Sequence, residues 1–209
     1  MRLTFICLLT IIICTSFLQG CSYPTLSKAG IVIPDEMLRD GDIVFRQGIG
    51  LTSHIVRIAN GRGTYSHVGI VARGENGWQV IHAVPGEPEY EGEEDKVKAE
   101  DIADFFSPEK AACGAVMRME ADSMVAVRAS KHAYDIYSRN TLFDHRYNMS
   151  DTTQMYCTEL VWFVYQKENV SLVRSIDSLY VLPLIDKACL LPDDIADDPH
   201  LVQVIVFEY

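Results

Sequence analysis

Two short segments hold the side chains that could do covalent chemistry. Tyr65-Ser66-His67-Val68-Gly69-Ile70-Val71 puts a histidine at the head of an apolar, β-branched run that predicts a strand. Tyr156-Cys157-Thr158-Glu159-Leu160-Val161 puts a cysteine at the start of an amphipathic helical pattern. A helix N-terminus and a nearby imidazolium both favour thiolate over thiol. The pair therefore predicts an ionised nucleophile, Cys157, with His67 as its partner.

A third side chain follows from the elements around His67. Gly74-Glu75-Asn76-Gly77 is a hairpin signal, with predicted strands on either side from Ser66 to Ala72 and from Trp78 to Val84. That hairpin would set His67 and His82 on neighbouring strands, near opposite each other and far from the turn. One imidazole could act on the thiol while the other orients it, the logic of a nucleophile, a base and an orienting group. Taken singly, Cys157 on an apolar helix face and His82 in a strand would both read as packing residues.

The remaining pattern predicts an α+β domain, a mostly antiparallel sheet packed against helices. Further strands are expected over Asp42 to Arg46, Gly114 to Met119 and Leu201 to Phe207. Helices are expected near Leu51 to Ile58 before Asn60-Gly61, from Ala99 to Phe106, from an Asp122-Ser123 cap to Arg139, and from Cys157 to Glu168. Cys113 reads as buried in a strand, and Cys189 as buried in an apolar run. With three cysteines in an exported domain, a bridge between Cys113 and Cys189 is one arrangement open to the chain. His54 reads as a surface helix position, and Asp144 and Asp151 as members of a solvated loop.

The chain opens with Met1-Arg2 and an apolar run from Leu3 to Leu18, the layout of an export leader. Leu18-Gln19-Gly20-Cys21 resembles a bacterial lipobox, which would make Cys21 the lipidated new N-terminus. Residues 1–20 are then a leader, 21–37 a tether and 38–209 one domain on the outside of the cytoplasm, a monomer held to a membrane by its lipid. Loss of Arg2 with the leader takes the formal charge from −11 to −12. So acidic a body repels nucleic acid. Much of the acidity lies in Glu87 to Asp101 and in Asp193-Asp194 and Asp197-Asp198, which read as solvated loops.

Leu38-Arg39-Asp40-Gly41-Asp42-Ile43-Val44-Phe45, Ser66-His67-Val68-Gly69-Ile70, Val80-Ile81-His82-Ala83 and Tyr156-Cys157-Thr158-Glu159-Leu160-Val161 together resemble the circularly permuted papain-fold proteins of the YiiX/YebB-like group in the NlpC-type superfamily. In unpermuted relatives the cysteine precedes the histidine; here, as in lecithin retinol acyltransferase-like enzymes, the order is reversed. The resemblance implies a permuted papain-like half-barrel with the nucleophile at a helix N-terminus, Cys157 as nucleophile, His67 as general base and acid, and His82 as orienting residue. It implies no cofactor and no metal. Many YiiX-like proteins carry Glu where this chain has His82. Tyr156 stands where unpermuted peptidases have an Asp that grips the substrate amine, which makes Tyr156 a substrate-binding candidate without settling the substrate. The expected activity is a cell-envelope cysteine hydrolase cleaving amides in peptide-like substrates, peptidoglycan fragments among them. Ester or thioester chemistry on acylated substrates, of the lecithin retinol acyltransferase-like type, is one alternative, and a zinc-binding module built on two His and one Cys is another.

Overall fold

The computed structural model describes residues 25–27, 30–59, 61, 63–120, 123–173, 180–181 and 188–209. The leader, the lipobox and Cys21, together with Asn60 and Asp122, lie outside the described residues. In chain order the elements are β1 (Thr25–Ser27), β2 (Gly30–Val32), β3 (Ile43–Gly48), α1 (Leu51–Ala59), β4 (His67–Gly74), β5 (Gly77–Val84), β6 (Lys96–Asp101), α2 (Ile102–Phe105), β7 (Ala111–Met119), α3 (Ser123–Ser138), β8 (Leu142–Phe143), β9 (Gln154–Met155), α4 (Cys157–Gln166), β10 (Tyr180–Val181), β11 (Ala188–Cys189), α5 (Pro192–Ala196) and β12 (Leu201–Glu208). None of the described helices is long and apolar enough to cross a membrane.

Eight strands form one sheet in the order β12-β7-β3-β4-β5-β6-β8-β9, antiparallel throughout except between β8 and β9. Strand alternation gives the sheet two buried faces. Phe45, Val68, Ile70 and Ile81 pack in one cluster with Ala133 and Ile136 of α3 and Leu160, Val161 and Val164 of α4. Val44, Val71, Val80 and Val116 face the other way, onto Phe105, Phe106 and Phe207. Complete burial of each such side chain contributes about 1.5–3 kcal/mol, so α4 is held firmly by its inner face while its first residue meets a cavity.

The hairpin forms with the expected turn, Gly74 pairing with Gly77, and Ile70 pairs with Ile81. This register sets the histidines on a diagonal rather than opposite each other. Gly69 lies beside His82: a Cβ on residue 69 would stand 3.1 Å from His82 Cβ and 2.5 Å from Val80 Cγ1. The missing side chain leaves the room through which His82 leans toward His67.

The expected helix beginning at Ala99 is instead β6 followed by the single turn of α2. In Lys96-Val97-Lys98-Ala99-Glu100 the period is two. Val97 is buried in the cluster beneath α3 and α4, with Ala99 packed beside it, while the buried Lys98 and the partly buried Glu100 find ion partners. The acidic stretch is thus partly interior. Asp193 likewise accepts the Tyr65 N–H, at 3.2 and 3.3 Å from its two oxygens. Residues read as a tether include the paired β1 and β2, and Ile31 N–H donates to the Tyr209 hydroxyl at 2.7 Å.

Candidate active site

α4 begins at Cys157, and β4 begins at His67. Both side chains line one cavity of about 390 Å³, with Phe143, Tyr147, Leu190 and Pro192 among its apolar walls and Ser53, Ser66 and Glu109 among its polar ones. Backbone groups of Val68, Thr158 and Cys157 itself favour the ionised form of the Cys157 sulfur. His82 stands behind His67, wholly buried, with its Nδ1 2.8 Å from His67 Nε2. The two rings meet edge to face, and Phe105 packs against both.

On its far side, His82 Nε2 lies 3.3 Å from Glu100 Oε2, an ion-pair distance rather than an aligned hydrogen bond. Glu100 Oε1 pairs with Lys110, and Arg46 Nη1 is 3.9 Å from Glu100 Oε2. Arg46 is buried directly across from His67 in the β3–β4 register; it pairs with Glu87, donates to the Phe105 carbonyl at 3.0 Å and lies over the Phe105 ring. Burial opposes ionisation of Glu100, but contacts with His82 and Lys110 outweigh it and hold the carboxyl down at about 2.

Burial works against the charged pair that the sequence predicts. Burial pushes the Cys157 thiol up from its ordinary value, and the backbone N–H groups at the helix start only reduce that rise. Burial pulls His67 well below the usual imidazole range, and the charges of Arg46, His82 and Lys110 pull the same way. His82 is lowered too, first by burial, with Glu100 opposing. Both shifts favour the neutral thiol and the neutral imidazole over their charged forms. The helix dipole and histidine that predicted a thiolate are present, but desolvation of both partners is the larger effect.

Tyr156 lines the cavity with its ring, and its hydroxyl accepts the Leu190 N–H at 3.2 Å; Thr158 Oγ1 donates to the Leu190 carbonyl at 2.7 Å. These bonds clamp the chain after β11 against the start of α4. Cys189 lines the same cavity, and burial with nearby Cys157 and Asp194 pushes its thiol up to about 11. Cys113 is a free thiol, so the bridge between Cys113 and Cys189 does not form. Cys113 is only half-buried on β7, its sulfur 3.7 Å from Gln47 Oε1.

A family model of permuted papain-like amidase enzymes, the YaeF/YiiX, C92 family, matches residues 37–205. The chain belongs to this family. It is a permuted papain-like cysteine hydrolase of the amidase and peptidase class. Its fold is similar to the crystal structure of the metalloprotein yiiX from Escherichia coli O157:H7, with a TM-score of 0.63 and 18% identity, over 83% of this chain and 99% of that one. No curated protein matched the sequence.

Other sequence candidates are not gathered into this cavity. His54 is exposed on α1, His132 pairs with Glu168 at 2.9 Å, His145 with Asp95 at 3.2 Å, and His200 with Asp198 at 2.9 Å. Asp144 is buried rather than solvated: it accepts N–H groups from Arg146 and Asn148 and so folds the loop before α4. Asp151 is exposed and accepts the Thr153 N–H at 3.0 Å. Sequence alone assigns Glu100 and Arg46 to an expected helix and strand and gives neither a place at the site. The alternation of charged and apolar residues in 96–100 could have revealed β6, and with it a carboxylate one strand beyond His82.

Proposed function

We propose that this enzyme is an exported, lipid-anchored amidase in which Cys157 attacks, His67 moves the proton and His82 orients His67, acting on amide bonds of peptide-like substrates in the bacterial cell envelope. The observation that carries the reading is the 2.8 Å contact of His67 Nε2 with His82 Nδ1, beside a cavity that His67 shares with Cys157. It occupies one nitrogen of His67 and leaves Nδ1 as the base. Because the pair rests neutral, the thiol proton passes to His67 Nδ1 as sulfur attacks the amide carbon. Backbone N–H groups at the start of α4 hold the developing oxyanion. His67 then gives its proton to the departing amine, leaving a thioester on Cys157. Water, deprotonated by His67, attacks the thioester, and the sulfur leaves with that proton restored. Tyr156 and the apolar walls enclose the acyl side of the substrate.

The donor set does not fit a metal ion, although the similar yiiX structure is of a metalloprotein. Among the described residues no three His, Cys, Asp or Glu side chains converge on one point, and the facing nitrogens of His67 and His82 are bonded to each other.

The mature protein treated with p-nitrophenyl acetate, an activated acyl donor, is expected to carry acetyl on Cys157 and not on Cys113 or Cys189, read by peptide mass spectrometry. Equal acetylation of all three, or none on Cys157, would reject the nucleophile assignment. Lipid attachment has its own measurement. Wild type expressed in a bacterium should partition into the detergent phase and Cys21→Ser into the aqueous phase; identical partitioning removes the lipid from this reading.

A further inference from the structure

We infer that Glu100 is a positioning residue that fixes the proton on both imidazoles, so that His67 presents a bare ring nitrogen to Cys157. This deepens the proposed function and rests on its assignment of His67 as the base. In the β5–β6 register His82 is opposite Lys98, so Glu100 reaches His82 on the diagonal. An ionised carboxylate can only accept hydrogen bonds. Lys110 occupies Oε1, and the negative Oε2 faces His82 Nε2 at 3.3 Å, where it repels a lone pair and favours the His82 proton on Nε2. His82 Nδ1 is then an acceptor. At 2.8 Å from His67 Nε2 it requires the His67 proton there. Nδ1, the remaining nitrogen of the cavity-lining ring, keeps its lone pair.

Among the described residues no other carboxylate does this. Glu87 also acts on His82, but its two oxygens are engaged by Arg46 and Lys110. Arg46 and Lys110 both oppose positive charge on His67. When Nδ1 takes the thiol proton, the new charge on His67 is countered through the neutral His82 ring by Glu100. No second proton transfer is needed, and the long Glu100 contact can tighten as that charge develops. His82 alone, as a neutral ring, could hold its proton on either nitrogen; with the proton on Nδ1 it would face His67 as a donor and force the wrong tautomer.

The test reads tautomers and rate on the full chain. In wild type labelled with ¹⁵N-histidine, long-range ¹H–¹⁵N spectra should show the protons of both His67 and His82 on Nε2. Glu100→Gln can donate as well as accept, so part of the His82 signal should move to the Nδ1–H form, and acetylation of Cys157 by p-nitrophenyl acetate should slow about 100-fold. In a His82→Glu background a carboxylate would face His67 directly, and Glu100→Gln should no longer slow acetylation. Loss of ion pairs alone would not produce that reversal. An Nδ1–H form of either histidine in wild type, or unchanged tautomers and rate in Glu100→Gln, overturns the role of Glu100. If Glu100→Gln does not fold, the wild-type spectrum alone decides. Expected tautomers without acetylation of Cys157 would instead sink the nucleophile reading and leave the Glu100 assignment standing.

Discussion

His67→Ala is expected to slow acetylation of Cys157 at pH 7 by about 10³-fold, within the range that a positioned general base supplies. His82→Gln should cost only part of this, because the Gln carbonyl can still accept the His67 Nε2–H. The pH dependence of alkylation separates base from electrostatic partner. Only thiolate reacts with an alkylating agent, and burial already holds the Cys157 thiol up while His67 rests uncharged. Removing His67 therefore takes away no imidazolium, and the alkylation midpoint should stay above about 8.5, the free-thiol value. A midpoint well below that in wild type, rising in His67→Ala, would mean that the pair rests ionised. Equal losses of acetylation in the two variants would reject the division of roles.

The candidate site residues were legible because each announces itself locally. Cys157 opens a helix with Leu160, Val161 and Val164 on one face, and His67 and His82 flank a four-residue turn whose geometry fixes which strands pair. Permuted order, helix start and hairpin are properties of short segments. What was not legible depends on a third dimension. The acidic stretch reads as solvent-loving by composition, yet Glu87 and Glu100 fold back onto Arg46 and Lys110, whose separation in sequence hides the pairing. The same burial decides the protonation of the site. Sequence places a dipole and an imidazole near a thiol, both favouring charge, but only the packed structure shows how little solvent remains to support it. The register diagonal between His67 and His82 needed Gly69 to be recognised as space as well as as a motif residue.

Glu159 extends this logic to stability. It is buried on α4 two residues after Cys157, its Oε2 3.4 Å from the Tyr156 N that donates to it and its Oε1 without a hydrogen-bond partner. Burial, with repulsion from Asp144 and Asp151 against the lowering effect of the Tyr156 N–H, pushes its carboxyl up to about 8. Between the ordinary carboxyl range and pH 8 the folded chain holds a proton that the unfolded chain has released. Stability from this group is therefore full below about 4.3 and lost as pH rises toward 8, at about 1.4 kcal/mol per unit. His67 and His82 act oppositely: held neutral in the fold, they lose stability as pH falls below about 6.5, where the unfolded chain takes up protons. Glu159→Gln cannot ionise and keeps an acceptor for the Tyr156 N–H. Relative to wild type, its denaturant stability should gain a few kcal/mol between pH 5 and pH 8, the histidine contribution being common to both chains. Parallel stability curves for the two proteins across that range would show that Glu159 is ionised in the fold, and that the start of α4 carries a buried negative charge beside the thiol.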